Sequence, residues 1–114
     1  MSENQRKHER INSLNLLHLY IKENEEVIRL GMGRTLNISE SGIRLETNFS
    51  IDSKKTILLT IGIEDDILEL KGQISYYIAR DKKYEFGIQF MDLDDKSRVL
   101  LKEYIKIFKE ESAK

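Results

Sequence analysis

The side chains best suited to chemistry fall in two short polar constellations. The first, Arg6-Lys7-His8-Glu9-Arg10, sets two arginines in an R-x-x-x-R pattern ahead of any apolar run. Guanidinium forks bind phosphate bidentately and match the O6/N7 edge of guanine, so such an arm can close over a planar anion. The second is Asn37-Ile38-Ser39-Glu40-Ser41-Gly42. Here Asn37 offers an acceptor and donors to a base edge and Ser39 a hydroxyl, while Gly42 lets a backbone N–H approach an anion closely. Each segment also has a plain structural explanation. The first is a solvated arm, and the second is a hairpin connection in which Gly42 supplies positive φ.

Catalytic patterns are absent. His8 and His18 form no HxxxH or HExxH motif, and neither a GxSxG elbow nor a phosphate-cradling glycine loop occurs. His18 reads as a packed or half-exposed strand residue. The pairs Asp65-Asp66 and Asp94-Asp95 fall at element ends, where turn and cap roles account for them. With no cysteine, disulfides, thiolate metal sites and cysteine nucleophiles are excluded. The expectation is a protein that is not an enzyme, with no catalytic residue, no metal site and no cofactor.

Composition narrows the class further. The 114 residues carry 19 Lys+Arg against 20 Asp+Glu, a formal charge of -1. That length fits one compact domain, and the balance argues against a general DNA or RNA binder. An OB-like single-strand binder would want a basic groove with stacking aromatics, which this chain does not supply. The polar N-terminus lacks the apolar core of a signal peptide, and no run approaches a membrane span. A cytoplasmic protein without membrane insertion is expected.

The elements that must hold these residues are mostly strands. Residues 14–22 put Leu17, Leu19 and Ile21 on one side and His18 and Tyr20 on the other. Residues 26–36 contain Gly31 and Gly33, which suit a bent or closely approached strand rather than a helix. Further strands are expected over 43–47, 56–63, 67–79 and 84–91, the last with Tyr84, Phe86, Ile88 and Phe90 on one face. This order reads as an antiparallel meander. From Asp92 the period becomes helical, with Leu101, Tyr104, Ile105 and Phe108 on one stripe and Lys102, Lys106 and Lys109 on the other side. The spacing predicts an arm over 1–12, a barrel over 13–91 and an amphipathic helix over 92–112. Six strands and one helix suggest a mainly β, six-stranded antiparallel barrel, because closure removes exposed edges.

Taken together and in this order, the two constellations resemble the signature of the PilZ domain family. Its members are recognised by RxxxR ahead of the first strand and [D/N]xSxxG on the barrel wall, matched here by Arg6, Arg10, Asn37, Ser39 and Gly42. The likeness runs through GIRLET, FGIQF and the DLDDKSRVLLKEYI helix. It implies a bacterial barrel that binds cyclic di-GMP, with Arg6 and Arg10 contacting guanine and phosphate. It further implies that Asn37 addresses the other guanine edge, Ser39 lies near a phosphate or base, and Gly42 holds the turn. Where the family carries Asp, a carboxylate accepts from guanine N1–H and N2–H together, whereas Asn37 supplies one acceptor oxygen. The family also links the residue before the arginines, here Gln5, to whether one ligand or an intercalated pair binds.

On this reading the arm is mobile without ligand and folds onto the barrel when cyclic di-GMP bridges it to the Asn37–Gly42 turn. The output then passes to a protein partner in motility, adhesion or exopolysaccharide synthesis, from a monomer or weak dimer. The competing reading is a PilZ-like barrel that acts as a ligand-independent protein-protein module. Arg34, Arg44, Arg80 and Arg98 stay open as either additional contacts or solvated surface.

Overall fold

A computed structural model describes residues 16–63 and 65–112, so Arg6, Arg10 and the whole 1–12 arm lie outside the described residues. The strands are β1 (Leu16–Glu23), β2 (Glu26–Ile38), β3 (Gly42–Thr47), β4 (Thr56–Ile63), β5 (Asp66–Arg80) and β6 (Lys83–Met91). One helix, α1 (Asp95–Ser112), follows them. All strand pairs are antiparallel, and the sheet closes into a barrel in the order β1-β2-β3-β6-β5-β4.

That order corrects the meander. A sequential meander would set β4 beside β3 and β6 beside β1; instead β3 pairs with β6 and β1 with β4. The barrel is two three-stranded units joined edge to edge. The cause is the connection over 48–55, which is too long for a tight hairpin and is anchored by its own apolar residues. Ile51 is buried, Phe49 packs against the core, and Lys55 forms an ion pair with Glu23 at the end of β1. The chain is thereby delivered to β1, where Thr56 stands opposite Lys22.

Period-two alternation fills the interior. Leu17 and Leu19 of β1, Ile43 and Leu45 of β3, and Ile57, Leu59, Ile61 and Ile63 of β4 are buried, as are Leu68 and Leu70 of β5 and Phe86 and Ile88 of β6. Tyr84 and Phe90 share the inward face of β6 and pack against this core, as the alternation predicts.

The helix is set by a cap and a stripe. Asp92, at φ 54°, turns the chain after β6, and Asp94 Oδ1 accepts from the Ser97 backbone N–H at 2.7 Å, so helical structure begins at Asp95. Leu101, Tyr104 and Phe108 are buried and Ile105 packs beside them. Tyr104 shares a 2.8 Å hydrogen bond with Thr35, whose side chain is on the interior face because Thr35 stands opposite buried Leu45. The helix therefore closes over an opening of the barrel, and its stripe joins the barrel core. Burial pushes the Tyr104 hydroxyl up to about 12, partly offset by the bond to Thr35.

Candidate ligand-binding site

The Asn37–Gly42 segment is a tight, internally bonded turn between β2 and β3. The Ser39 N–H donates to the Gly42 carbonyl at 2.9 Å, and Ser39 Oγ accepts from the N–H groups of Ser41 and Gly42, each at 3.3 Å. Ser39 is thus the keystone of the turn. Phe90 N–H donates to the Ser41 carbonyl at 2.9 Å, tying the turn to β6.

Gly42 serves the turn differently from the expectation. Its φ is not positive; Gly31 is the only glycine with positive φ among the described residues. What excludes a side chain is proximity, because a Cβ at Gly42 would lie 2.5 Å from the Ile88 carbonyl oxygen. The requirement for glycine comes from the close approach of β6.

Register irregularities aim the neighbouring side chains. Thr35 faces the interior, so strict alternation would turn Asn37 inward as well. The β2–β3 register instead runs from Thr35↔Leu45 to Asn37↔Arg44, which makes Leu36 an extra, bulged residue and sends Asn37 to the outer face. The same device recurs on β5. Ile74↔Ile88 is followed by Tyr76↔Gly87, so Ser75 is bulged and Tyr76 also faces outward. Asn37, Arg44, Gly87 and Tyr76 consequently form one cross-strand row over β2, β3, β6 and β5.

This row floors an open concavity of about 350 Å³ on the outer wall, which Asn37, Ser39, Gly42, Arg44, Tyr76 and Gln89 help to line. The Tyr76 ring lies against Gly87, where a Cβ would come within 2.1 Å of it. Its hydroxyl donates to Glu85 Oε2 at 3.1 Å, and Arg44 Nε stands 3.5 Å from the same oxygen. Arg80 reaches the other carboxylate oxygen at 3.3 Å. Lost hydration, followed by the Glu85 carboxylate, holds the Tyr76 hydroxyl above its ordinary range.

Asn37 Oδ1 accepts from the Ile38 N–H at 2.9 Å. That bond fixes the orientation of the carboxamide and leaves its Nδ2 donors without a partner among the described residues. The wall thus offers amide donors, a hydroxyl, a guanidinium and an aromatic face, a set suited to a ligand with both polar edges and negative charge.

Residues 4–106 match the PilZ domain family. The chain belongs to that family. The PilZ match covers both constellations and most of the helix. No curated protein matches the chain in sequence. Among solved structures, K. pneumonia MrkH in its apo state resembles this PilZ domain with a TM-score of 0.61 at 14% identity. The match covers 87% of this chain and 48% of that one, so the chain spans about half the length of MrkH, and the likeness is one of fold.

Of the five site residues singled out by sequence, Asn37, Ser39 and Gly42 stand together on the PilZ barrel wall, while Arg6 and Arg10 lie outside the described residues. The sequence reading did not find Ser75, Tyr76, Gly87 and Gln89. Gly87 within FGIQF was a visible cue, but the Ser75 bulge that turns Tyr76 toward it has no signature in residue type. Among the described residues no group of His, Asp and Glu side chains could hold a metal ion, and no helix is long and apolar enough to cross a membrane.

Proposed function

We propose that this PilZ domain is a bacterial receptor for cyclic di-GMP that relays ligand binding to a protein partner. The observation that carries the reading is the outer-wall concavity in which Asn37, with unengaged amide donors, stands beside the Ser39-Gly42 turn. The ligand has two guanines and two phosphodiester charges, so it needs polar groups that read a base edge and cations that meet phosphate. Asn37 serves a guanine edge, Ser39 and Gly42 hold the turn against the ligand, and Arg6 and Arg10 supply guanidinium forks.

Reach supports this division of labour. Arg10 precedes Leu16 by a segment spanning at most about 20 Å when extended. Leu16 stands opposite Arg34, on the same strand as Asn37. Closing the arm costs conformational entropy, so ligand contacts in the closed state must exceed that cost, and the surface so formed is what a partner reads.

Calorimetric titration with cyclic di-GMP, with GMP and cyclic di-AMP as controls and Arg10→Ala beside the parent, tests the proposal. Saturable, guanine-specific binding that is lost in the variant is expected, and its stoichiometry reports the role of Gln5. No heat at tens of micromolar ligand would sink it and favour the ligand-independent interaction module.

A further inference from the structure

Four arginines outside the two motifs were open as contacts or as surface, and the barrel separates them. Arg34 is engaged by Glu46 at 3.2 Å, Arg80 stands at the end of β5 beside Glu85, and Arg98 on the helix donates to the Leu93 carbonyl at 3.4 Å. None of these three lines the Asn37–Gly42 concavity. Arg44 does, and it is the only charged side chain among the described residues that line it. It also stands directly opposite Asn37 in the cross-strand register.

We propose that Arg44 contacts a phosphate of the ligand, with Glu85 and Tyr76 acting as positioning residues that hold it against the wall. The inference rests on the cyclic di-GMP reading and adds a cation fixed to the barrel to the two carried by the arm. Three observations carry it. Arg44 is half exposed, so an anion meets it without opening the core. The Glu85 side chain is only 14% exposed and engages Arg44 through Nε at 3.5 Å, and the Tyr76 hydroxyl interacts with the same guanidinium. A guanidinium carries five N–H donors, more than one carboxylate oxygen at Nε and one hydroxyl can use, so Arg44 keeps donors for an anion. Tyr76 then braces the clamp, because its hydroxyl donates to the Glu85 oxygen that faces Arg44, and its ring is fixed on Gly87.

The alternative is that the Arg44–Glu85 pair is ordinary surface charge, which contributes little and touches no ligand. Titration of cyclic di-GMP into the full chain, comparing Arg44→Ala, Arg44→Lys, Glu85→Gln and Arg34→Ala with the parent, decides between them. Loss of a charge-assisted contact predicts roughly ten- to hundred-fold weaker binding for Arg44→Ala. Arg44→Lys should recover part of the affinity by restoring charge without the fork, and Arg34→Ala should bind as the parent does. Glu85→Gln should weaken binding less than Arg44→Ala and add nothing when combined with it. The parent's affinity should also fall more steeply with ionic strength than that of Arg44→Ala.

Thermal melts of each variant separate misfolding from lost contact; Arg44 is half exposed, and Glu85→Gln keeps the size and shape of the more buried partner. Parent-like affinity and salt dependence in Arg44→Ala, with binding still lost in Arg10→Ala, would overturn the role of Arg44 and leave the receptor reading standing. A parent that binds no cyclic di-GMP would overturn both.

Discussion

β4 runs between β1 and β5 without a break in register, whereas across the barrel the wall formed by β2, β3, β6 and β5 is interrupted at Leu36 and Ser75. On β4 the alternation is uninterrupted, and Ile57, Leu59, Ile61 and Ile63 all go to the interior. On the other wall each bulge reverses the alternation once, and the residues turned outward, Asn37 and Tyr76, line the concavity. An unbroken ladder commits every second side chain to packing. A bulged one sacrifices ladder regularity and gains a place to present polar groups. Leu45, Phe86 and Ile88 of the bulged wall share the core with β4, but on the proposed function recognition belongs to the bulged side alone, and substitutions on the two walls should therefore separate folding from binding.

The largest effect is expected on the unbroken wall. Leu59 is fully buried between β1 and β5, opposite Leu19 and Leu70. Leu59→Ala removes core volume that a tightly paired strand cannot collapse to fill, costing about 2–5 kcal/mol of stability. Denaturant unfolding measures the loss, and titration below the transition should find ligand affinity close to that of the parent. A large affinity change with unaltered stability would reverse the assignment of the two walls.

This asymmetry also explains what the sequence revealed. The regular strands announced themselves by period two, and the helix by its Leu101–Phe108 stripe and the Asp94 cap. The β3–β4 crossover did not, because Phe49 and Ile51 fall in a polar stretch whose burial becomes visible only once the barrel is closed. The candidate site was legible only where residue chemistry is distinctive, at Asn37, Ser39 and Gly42. Leu36 and Ser75 are ordinary strand residues by type. Their effect is one of count, since an extra residue on one strand has meaning only relative to its partner, and a single chain does not print its pairings. Only the positive φ expected of Gly42 is overturned, since a glycine demanded by a neighbouring carbonyl looks the same in sequence as one demanded by φ.

The next effect concerns how the bulged wall is pinned. Thr35, immediately before the Leu36 bulge, is held from the interior by Tyr104. The Tyr104 hydroxyl is raised to about 12 in the fold, against an ordinary tyrosine value of 10.0. A group whose folded value is raised contributes stability that is fully present below the unfolded value and is lost as pH rises through the folded one. The window is therefore pH 10 to 12, and the shift corresponds to about 3 kcal/mol. Denaturant unfolding across that window should show the parent losing stability relative to Tyr104→Phe, which has no hydroxyl to ionise. Parallel curves for the two proteins would mean that the hydroxyl ionises without opposing the fold.

The smallest of these effects should fall on the turn, where the two roles meet. Gly42→Ala places a methyl carbon about where the Ile88 carbonyl oxygen permits none, and the contact is with backbone, so rotation of a side chain cannot relieve it. Either β3 moves away from β6 or the turn rotates, at about 1–3 kcal/mol for an overpacked site. The Phe90–Ser41 backbone bond spans the same two elements, so separation of the strands would weaken it and shift Ser39 and Asn37 with the turn. Stability should thus fall less than in Leu59→Ala, while affinity for cyclic di-GMP falls more. Melts and titrations of the two variants side by side give the comparison. If Gly42→Ala lowered stability and affinity in the same proportion as Leu59→Ala, the turn would merely be part of the scaffold, and the division between a packing wall and a recognition wall would fail at the residue where it is most sharply drawn.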